Sequence, residues 1–510
     1  MPSPSLAIVS NRTVVKSGVR VAPPLILFLL ALLTRLPLQS RMLYHWDSVN
    51  FAFAVRKFDM AAGQPHAPGY LLYVLLGRAA AALAGSAEKG YVLLAILGTA
   101  LSACALYDLG RRLWNPRAGW FASLLLLTSP LFWFYGEVAL PHTLDALMVI
   151  VAASLSWRIW RGEARLAPLL ALWLGLSGGM REQTLVFLLP LAVVACLRLP
   201  WRIALLSAAI LTATTLAWLI PLLYLSGGWA HYWYVVNAYS RVFDTPTSVF
   251  LGAGWNGLYH NGSKLIRYTL WAWAFGLIPL ALGLGVLRRA KATPWRLNPR
   301  GWLLALWAAP SLFFYVFIHM GQQGLIFVYL PVCFLLSARA GDALTRQYAG
   351  GLALVAGCLA ANALVYLFAP MYLLPGQRLK VLSEATIRDR DRALEGEVEA
   401  VRTDLPPGGV LLADEWRLPQ YYLPQVPLVP YHAISSEETG VAVPLEPVLL
   451  RQVQSATALA WYEPWLDAPD QALSRTTLME SHNGVRLRVL RRAAGEHFWV
   501  TSSAFGVAPN

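Results

Sequence analysis

Three charged residues lie in or beside apolar segments of the sequence, and their side chains are of types that take part in catalysis or anion binding. Asp47 and Glu137 are carboxylates that could accept a proton from an attacking hydroxyl. Arg181 lies between two short apolar segments, where an unpaired guanidinium is costly and where its planar fork would match a phosphate. The residue types therefore predict proton abstraction at a carboxylate and anion binding at Arg181.

Each of these residues also has a structural interpretation. Asp47 could cap the helix that Ser48 begins. Glu137 could form an ion pair with a nearby arginine, or hold a metal or orient an acceptor instead. Arg181 could extend to the membrane interface or pair with Glu182. The sequence leaves these alternatives open.

Weaker candidates follow from position. His319 and Gln322 stand at the end of a late apolar run, where they could meet phosphate or sugar hydroxyls or simply lie at the interface. Gln183 is the polar neighbour of Arg181. Tyr70 and Tyr73 could line a groove for a lipid chain, although packing is the commoner use of such tyrosines.

Composition requires that most of the chain faces lipid. Of the 510 residues 57% are hydrophobic and only 13% are charged, and the mean hydropathy is +0.51. A soluble domain usually carries about 25% charged residues. This excludes a soluble enzyme, a disordered protein and a disulfide-rich secreted domain. The net charge of +14 is explained by Lys and Arg in cytoplasmic loops, not by nucleic-acid binding.

Hydropathy predicts an α-helical polytopic membrane protein with about eleven spans, because one span needs roughly 20 apolar residues. They fall near 21–38, 90–110, 118–134, 141–157, 166–179, 184–197, 203–225, 265–286, 301–319, 324–338 and 350–370. The run 70–84 follows a polar loop and is interpreted as an interfacial or re-entrant helix, although a span there is not excluded. With the N-terminus inside, positive residues fall on the inner side roughly twice as often as outside.

The composition becomes polar after Pro370, which predicts a transmembrane module over 1–374 and a small extracytoplasmic α/β domain over 375–510. Residues 383–402 are predicted as an exposed helix, and Asp389-Arg390-Asp391 within it as a solvated charge run. Strands are expected at 409–416 and 457–462, with a late pair at 486–490 and 497–502.

Four segments resemble a known family. They are RMLYHWDSVNFAF at 41–53 with QPHAPGY at 64–70, FYGEVALPH at 134–142, GGMREQT at 178–184, and HMGQQG at 319–324 before Leu330-Pro331. Their order, spacing and common outer side resemble the GT-C integral-membrane glycosyltransferases, in the branch of protein O-mannosyltransferases and aminoarabinose transferases. The outer segment 40–89 would then be the catalytic loop.

The resemblance implies a sugar donor linked to polyprenyl phosphate and inverting transfer to a hydroxyl at the outer face of the membrane. Asp47 matches the family's catalytic acid, with Glu137 as a possible partner. His66, Arg181 and His319 would bind donor phosphate, and Gln183, Gln322, Tyr70 and Tyr73 would contact substrate. The family's usual second acidic residue is missing, because Ser48 follows Asp47 and the next acid is Asp59.

The resemblance leaves several points open. The family includes metal-dependent and metal-independent members, so the metal is unknown and a divalent cation is possible. The partners would be the lipid-linked donor, membrane lipid and an acceptor lipid, glycan or protein. The four cysteines all lie in apolar runs, which fits a bacterial inner membrane. A non-catalytic transporter of lipid-linked sugar, or a membrane scaffold, is the alternative function.

Overall fold

The computed structural model describes residues 22–289, 298–372, 380–430, 447–462, 476–480, 485–500 and 505–509. Most of these residues are helical. The first sixteen helices follow one another as far as Phe368, and a small α/β region occupies the described residues from 380 onward.

The helical part contains α1 to α16. Their bounds are α1 Ala22–Arg35, α2 Trp46–Arg56, α3 Leu71–Ala84, α4 Ala87–Leu113, α5 Pro116–Thr128, α6 Pro130–Tyr135, α7 His142–Trp160, α8 Ala167–Met180, α9 Glu182–Cys196, α10 Trp201–Leu225, α11 Trp229–Phe243, α12 Gly254–Trp273, α13 Leu277–Arg289, α14 Pro299–Phe317, α15 Leu330–Gln347 and α16 Gly351–Phe368.

Six helical segments in the described part of the chain are long and apolar enough to cross a bilayer. They are Ala87–Leu113, His142–Trp160, Trp201–Leu225, Gly254–Arg289, Pro299–Phe317 and Gly351–Phe368. Shorter apolar helices include α1, α3, α8 and α9. The α10 flank exposes Leu205 and Ile220, which are 63% and 59% accessible and would be costly in water. The protein is therefore an integral membrane protein built from helices.

Small residues bring neighbouring helices together. A Cβ on Gly110 of α4 would lie 2.9 Å from the Gly119 Cα of α5. A Cβ on Gly283 of α13 would lie 2.1 Å from the Ala340 carbonyl oxygen of α15. Such contacts replace the hydrophobic effect in lipid, where apolar side chains gain little by leaving the bilayer.

Two predicted segments differ from the structure. Residues 229–263, which lie between the predicted spans 203–225 and 265–286, form α11 and the first part of α12, and α11 presents Trp229 and Tyr234 on an exposed aromatic face. The predicted span 324–338 instead begins as a 3-10 turn over Gln323–Val328, and α15 follows it. The helices at 167–180 and 182–196, with their break at Arg181, match the predicted short pair.

The C-terminal α/β region, residues 380–509, contains three helices and seven strands in its described parts. They are α17 Glu384–Asp404, β1 Gly409–Ala413, α18 Arg417–Tyr422, β2 Leu428–Pro430, α19 Pro447–Ser455, β3 Ala458–Trp461, β4 Thr476–Glu480, β5 Arg486–Arg491, β6 Glu496–Val500 and β7 Phe505–Pro509. Five strands form a sheet in the order β2-β1-β3-β5-β4, in which β1 runs parallel to β2 and β3. This mixed sheet confirms the predicted small α/β fold.

Both predicted late strands are present, as β5 at 486–491 and β6 at 496–500, and they belong to different sheets, because β5 pairs with β3 and β4 while β6 pairs with β7. One detail of the prediction for this region is wrong. The helix predicted as exposed buries one face, and Asp391 in its supposed charge run is only 3% accessible. The sequence pattern missed this because the partner of Asp391 lies about 350 residues away.

Candidate active site

The loop between α1 and α3, residues 36–70, carries Asp47 on its short helix α2. The helix begins at Trp46, and His45 caps it by accepting a hydrogen bond at Nδ1 from the Asp47 backbone N–H over 3.1 Å. Asp47 therefore does not cap the helix. Its carboxylate, 20% accessible, is left for other partners.

Three side chains converge on the Asp47 carboxylate. Gln322 donates from Nε2 to Oδ2 in a short hydrogen bond. His45 Nδ1 lies 3.6 Å from Oδ2, and His66 Nδ1 lies 3.5 Å from Oδ1. Residues from the 36–70 loop and from the segment after α14 thus meet at one oxygen pair.

Gln322 is itself held by His142 at the start of α7. The His142 Nε2 and the Gln322 Oε1 lie 3.0 Å apart, so Nε2 donates when the Gln322 amide donates to Asp47. Gly324 makes room for this imidazole, because a Cβ there would lie 2.3 Å from the His142 Cγ. The result is a partly buried chain of hydrogen bonds from His142 through Gln322 to Asp47.

His66 is packed among aromatic rings. Its ring stacks on Tyr239 at a centroid distance of 5.8 Å and lies 5.0 Å from the Tyr70 ring and 5.4 Å from Phe51. Its Nδ1 is buried and has no hydrogen-bond partner among the described residues. The imidazole therefore has an unused polar atom next to the Asp47 carboxylate.

The surroundings of Asp47 and His66 shift the pKa values of both side chains. Burial acts to raise the pKa of Asp47, but His66, His45 and the Gln322 hydrogen bond together hold that pKa below its ordinary value. Burial lowers the pKa of His66, Asp47 opposes this only in part, and Arg181 lowers it further. The pKa of the Asp47 carboxyl is therefore lowered, which favours its ionised form, and the pKa of the His66 imidazole is lowered, which favours its neutral form.

Arg181 forms a buried ion pair with Asp145 of α7. Its Nη1 donates to the Asp145 Oδ2 over 2.9 Å, and Thr184 donates to the other carboxylate oxygen over 3.3 Å. The side chains of Arg181 and Asp145 are 8% and 3% accessible. Pairing with Asp145 replaces the predicted alternative of pairing with Glu182, while the Arg181 Nε remains without a hydrogen bond in the described part of the chain.

Tyr70 is near both Arg181 and the Asp47 cluster. It interacts electrostatically with Arg181 and with Asp47, and its backbone adopts a left-handed conformation at φ 48° just before α3. Tyr73, one turn further, is fully buried against Phe51 and Tyr91. Tyr70 thus belongs to the site, whereas the ring contacts of Tyr73 favour a packing role.

Glu137 belongs to a different network. It is fully buried, accepts from the Trp133 Nε1 over 2.7 Å, and accepts a short hydrogen bond from the Tyr366 hydroxyl. The guanidinium of Arg35 lies 4.2 Å above the Trp133 ring and interacts with the Glu137 charge. These contacts favour the structural alternative for Glu137, and the Ser40 N–H donating to its carbonyl over 2.9 Å anchors the start of the 36–70 loop.

His319 and Gln183 are not brought to Asp47 by the contacts that the structure describes. His319 Nδ1 lies 2.9 Å from the Thr247 hydroxyl, in a cluster that links the 244–248 turn to the end of α14. Gln183 is half-buried in the first turn of α9, beside Arg181 in sequence. Their predicted roles in binding remain predictions.

Sequence reasoning missed four residues of the site. His45 stands two residues before Asp47, and His142 is the last residue of the segment FYGEVALPH. Both are therefore visible in the sequence as polar residues within the family-like segments. Asp145 is an acid inside an apolar run, a signal of function or pairing. Arg417 had no such signal, because it reaches the loop from the C-terminal α/β region.

Metal ligation was left open by the sequence. In the described residues, no group of three or more His, Cys, Asp or Glu side chains is placed to hold a metal ion. Arg181, which is paired with Asp145, is a cation that the chain itself supplies in this region.

Comparisons with known proteins find a family model and solved structures that are similar to this chain. A family model described as dolichyl-phosphate-mannose-protein mannosyltransferase matches residues 66–226. The structure of ArnT from Cupriavidus metallidurans bound to undecaprenyl phosphate is similar at a TM-score of 0.56, with 16% sequence identity over 93% of this chain and 97% of that one. Its apo state gives a TM-score of 0.55, with 17% identity over 92% and 98% of the two chains.

A more distant structure is the apo oligosaccharyltransferase of Archaeoglobus fulgidus. It has a TM-score of 0.49 and 11% identity over 87% of this chain and 70% of that one. No curated protein sequence matches the chain significantly. The expected resemblance is confirmed at the level of the fold: this integral membrane protein shares the fold of ArnT, and its residues 66–226 match the mannosyltransferase family model.

Proposed function

We propose that the protein transfers a sugar from a polyprenyl-phosphate donor to an acceptor hydroxyl, with inversion at the anomeric carbon and with Asp47 as the base. The observation that carries the proposal is the convergence of Gln322, His45 and His66 on the ionised Asp47 carboxylate. The fold supports the donor class, because a similar structure, that of ArnT, holds undecaprenyl phosphate.

The chemical step needs one proton acceptor. The acceptor hydroxyl attacks C1 from the side opposite the phosphate, and its proton moves to an Asp47 oxygen as the new C–O bond forms. A carboxylate with a lowered pKa is too weak a base to deprotonate an alcohol hydroxyl that has not begun to bond to C1. The hydroxyl becomes acidic only as it bonds to C1, so transfer to Asp47 is late and couples to that bond.

The C1–O bond to phosphate breaks at the same time, and its electron pair leaves with the phosphate oxygen. A phosphate monoester is a good leaving group, so no acid is required. Arg181 supplies a fixed cation for the departing charge, and His66 supplies a neutral ring nitrogen beside Asp47 for hydrogen bonding to donor or acceptor. Gln322 and His142 hold the base in place.

The placement of this reaction follows from the same proposal. In this proposal the 36–70 loop and the C-terminal α/β region lie on the outer side of a bacterial inner membrane and the N-terminus lies in the cytoplasm, and the excess of Lys and Arg in the loops of the opposite side supports this orientation. The chain then divides into a transmembrane module over 1–374 and an extracytoplasmic domain over 375–510. A lipid donor would enter from the membrane with its head group towards Asp47.

Asp47→Asn tests the proposal. The purified protein in lipid nanodiscs is given a radiolabelled polyprenyl-phosphate sugar and an acceptor lipid or glycan fraction. We expect donor binding to survive in the variant, because Asn keeps the shape, and both transfer and release of free sugar to fall by roughly a hundredfold or more. Asp59→Asn is the matched control, since Asp59 lies on the same loop but pairs with Lys57.

Two results would contradict it. Full transfer by Asp47→Asn would show that another group is the base. A wild-type protein that moves the labelled lipid between the leaflets of a vesicle, without forming any product, would be the transporter instead.

A further inference from the structure

The C-terminal α/β region contacts the 36–70 loop on both sides of Asp47. Its contacts come from α17 and α18, which are far from α2 in sequence. They reach the loop before α2, on α2 itself, and in the segment that leads to His66. The site residues on this loop are therefore held by a part of the chain that contributes none of the groups proposed to react.

Asp391 of α17 binds the start of the loop. Its carboxylate accepts from the Ser40 hydroxyl over 2.9 Å, from the Arg41 N–H over 2.8 Å and from the Met42 N–H over 3.1 Å. The next backbone N–H, of Leu43, donates to the Tyr422 hydroxyl over 2.8 Å. Consecutive backbone donors that lack a helix or strand partner are thus satisfied by the C-terminal region.

Arg417 of α18 binds the other side of the loop. It donates from Nη2 to the Ala62 carbonyl in a short hydrogen bond, and its guanidinium lies 5.6 Å above Trp46, the residue before Asp47. A Cβ on Gly63 would lie 3.0 Å from the Arg417 Nη2, and Gly63 has a positive φ of 67°. One guanidinium therefore touches both the start of α2 and the turn that precedes His66.

Aromatic contacts complete the attachment. Tyr421 packs edge-on against Phe53 at a centroid distance of 5.3 Å, and the Arg56 guanidinium lies 4.8 Å from the Tyr421 ring. α2 has only 11 residues, and the contacts from the C-terminal region add to its packing against α3 and α4 through Phe51. A helix that short is marginal unless other elements pack against it.

From these contacts we propose that the C-terminal α/β region is a positioning element for the reaction, in which Asp391 fixes the start of the catalytic loop and Arg417 fixes the Asp47 and His66 segments relative to each other. The inference rests on the proposed function for its chemical meaning. Neither residue touches the reacting atoms, so both act through the loop. A shift of the base by about 1 Å can cost roughly a hundredfold in rate.

The test uses two substitutions and two matched controls in the full-length protein in nanodiscs. Asp391→Asn and Arg417→Gln remove the contacts with little change in size. Asp389→Asn, on the same helix, and Arg392→Gln make the same charge changes at exposed side chains that are 43% and 63% accessible. Arg417→Lys keeps the cation and one donor but loses the planar fork.

Two quantities are measured for each variant. Hydrogen exchange followed by mass spectrometry reports protection of the backbone amides in residues 40–66. Steady-state transfer, with donor and acceptor varied separately, reports kcat and KM. We expect faster exchange in this segment and a fall in kcat of roughly 10- to 100-fold, with donor KM nearly unchanged, for Asp391→Asn and Arg417→Gln. Arg417→Lys should recover part of the kcat, and the controls should match the wild type.

The inference is overturned if exchange in residues 40–66 is unchanged in both variants, or if exchange rises while kcat stays at the wild-type value. A loss expressed only in donor KM would also overturn it, since it would make Arg417 a donor ligand. Failure of the proposed function looks different: the wild-type protein itself forms no product, while the exchange comparison still decides whether these residues hold the loop.

Discussion

A carboxylate becomes a directed base only when its orientation and charge are both constrained. Asp47 meets both conditions, because Gln322 fixes one oxygen and the two histidines face the pair. Glu137 shows the contrast. Glu137 is also a carboxylate in one of the family-like segments, yet its two oxygens accept hydrogen bonds from Trp133 and Tyr366. At the scale of the residue, hydrogen-bond partners separate the proposed base from the structural acid.

Gln322→Leu should weaken the reaction without unfolding the protein. A hydrogen bond to a charged group contributes about 1.5–3 kcal/mol, so we expect kcat to fall by roughly tenfold or more. Loss of this bond also raises the pKa of Asp47, so the acid limb of the pH–rate profile should move to higher pH. Gln323→Leu is the control, because Gln323 accepts from Tyr135 and does not contact Asp47. Equal effects of the two substitutions would contradict the assigned role of Gln322.

The pair of Arg181 and Asp145 allows a structural role to be separated from donor binding. Arg181→Met leaves Asp145 as an uncompensated buried charge and should destabilise the protein by about 3–5 kcal/mol. The double variant Arg181→Met with Asp145→Leu should regain most of that stability in thermal unfolding. It should not regain donor binding, because no cation then faces the phosphate. Recovery of transfer by the double variant would show that Arg181 serves only the ion pair.

At the scale of elements, irregular backbone delivers the site residues. Arg181 stands in extended conformation between α8 and α9, at φ −161°, so its side chain leaves the helix axis towards α7. Gln322 precedes the 3-10 turn that interrupts the run before α15. Regular helices would have spread these residues along separate spans. The breaks in the apolar runs are therefore where the site is built.

Gly324→Ala should disturb the site through His142 alone. The added methyl would lie 2.3 Å from the His142 Cγ, so the imidazole must move and release Gln322. We expect lower kcat together with a loss of stability of about 1–3 kcal/mol, typical of overpacking. Gly357→Ala, on α16, has open space around its Cβ and should be neutral or slightly stabilising. A fully active Gly324→Ala enzyme would show that His142 does not hold Gln322.

At the scale of the whole molecule, the helical part and the C-terminal α/β region share buried polar contacts. Arg390 of α17 donates to Glu415, and the next residue, Asp391, binds the 36–70 loop. Glu397, on the same helix and 8% accessible, faces this cluster of charges. The stability of the attached region should therefore depend on pH.

Glu397→Gln should reveal that dependence. Burial raises the pKa of Glu397 to about 7 from 4.5, Arg390 opposes the shift and Glu415 adds to it. Because the folded protein holds this proton more tightly than the unfolded chain, the free energy of unfolding is highest below pH 4.5 and falls as the pH rises towards 7. It is lowest above pH 7, and the total change is about 3 kcal/mol. The variant should therefore unfold at a higher temperature than wild type at pH 8 and at a similar temperature at pH 5. Glu399→Gln, exposed on the same helix, should show no such difference.

The sequence by itself determined the properties that depend on neighbouring residues. Apolar runs and their breaks at Arg181 and after Pro370 predicted a helical membrane protein with a small α/β region, and the motif around Asp47 made this residue the candidate base. Hydropathy was less informative at 229–263, where an aromatic, amphipathic helix has too many polar residues to stand out as a span.

Only the tertiary structure decided which polar groups meet. Asp145 pairs with Arg181 across 36 residues, Glu137 is held by Tyr366 across 229, and Asp391 holds the loop at Ser40 across 351. A hydrogen bond needs atoms within about 3 Å, and such proximity between distant segments is set by how helices pack and where the chain returns. No local pattern in one chain encodes it, so the partner of a buried charge is known only from the folded molecule.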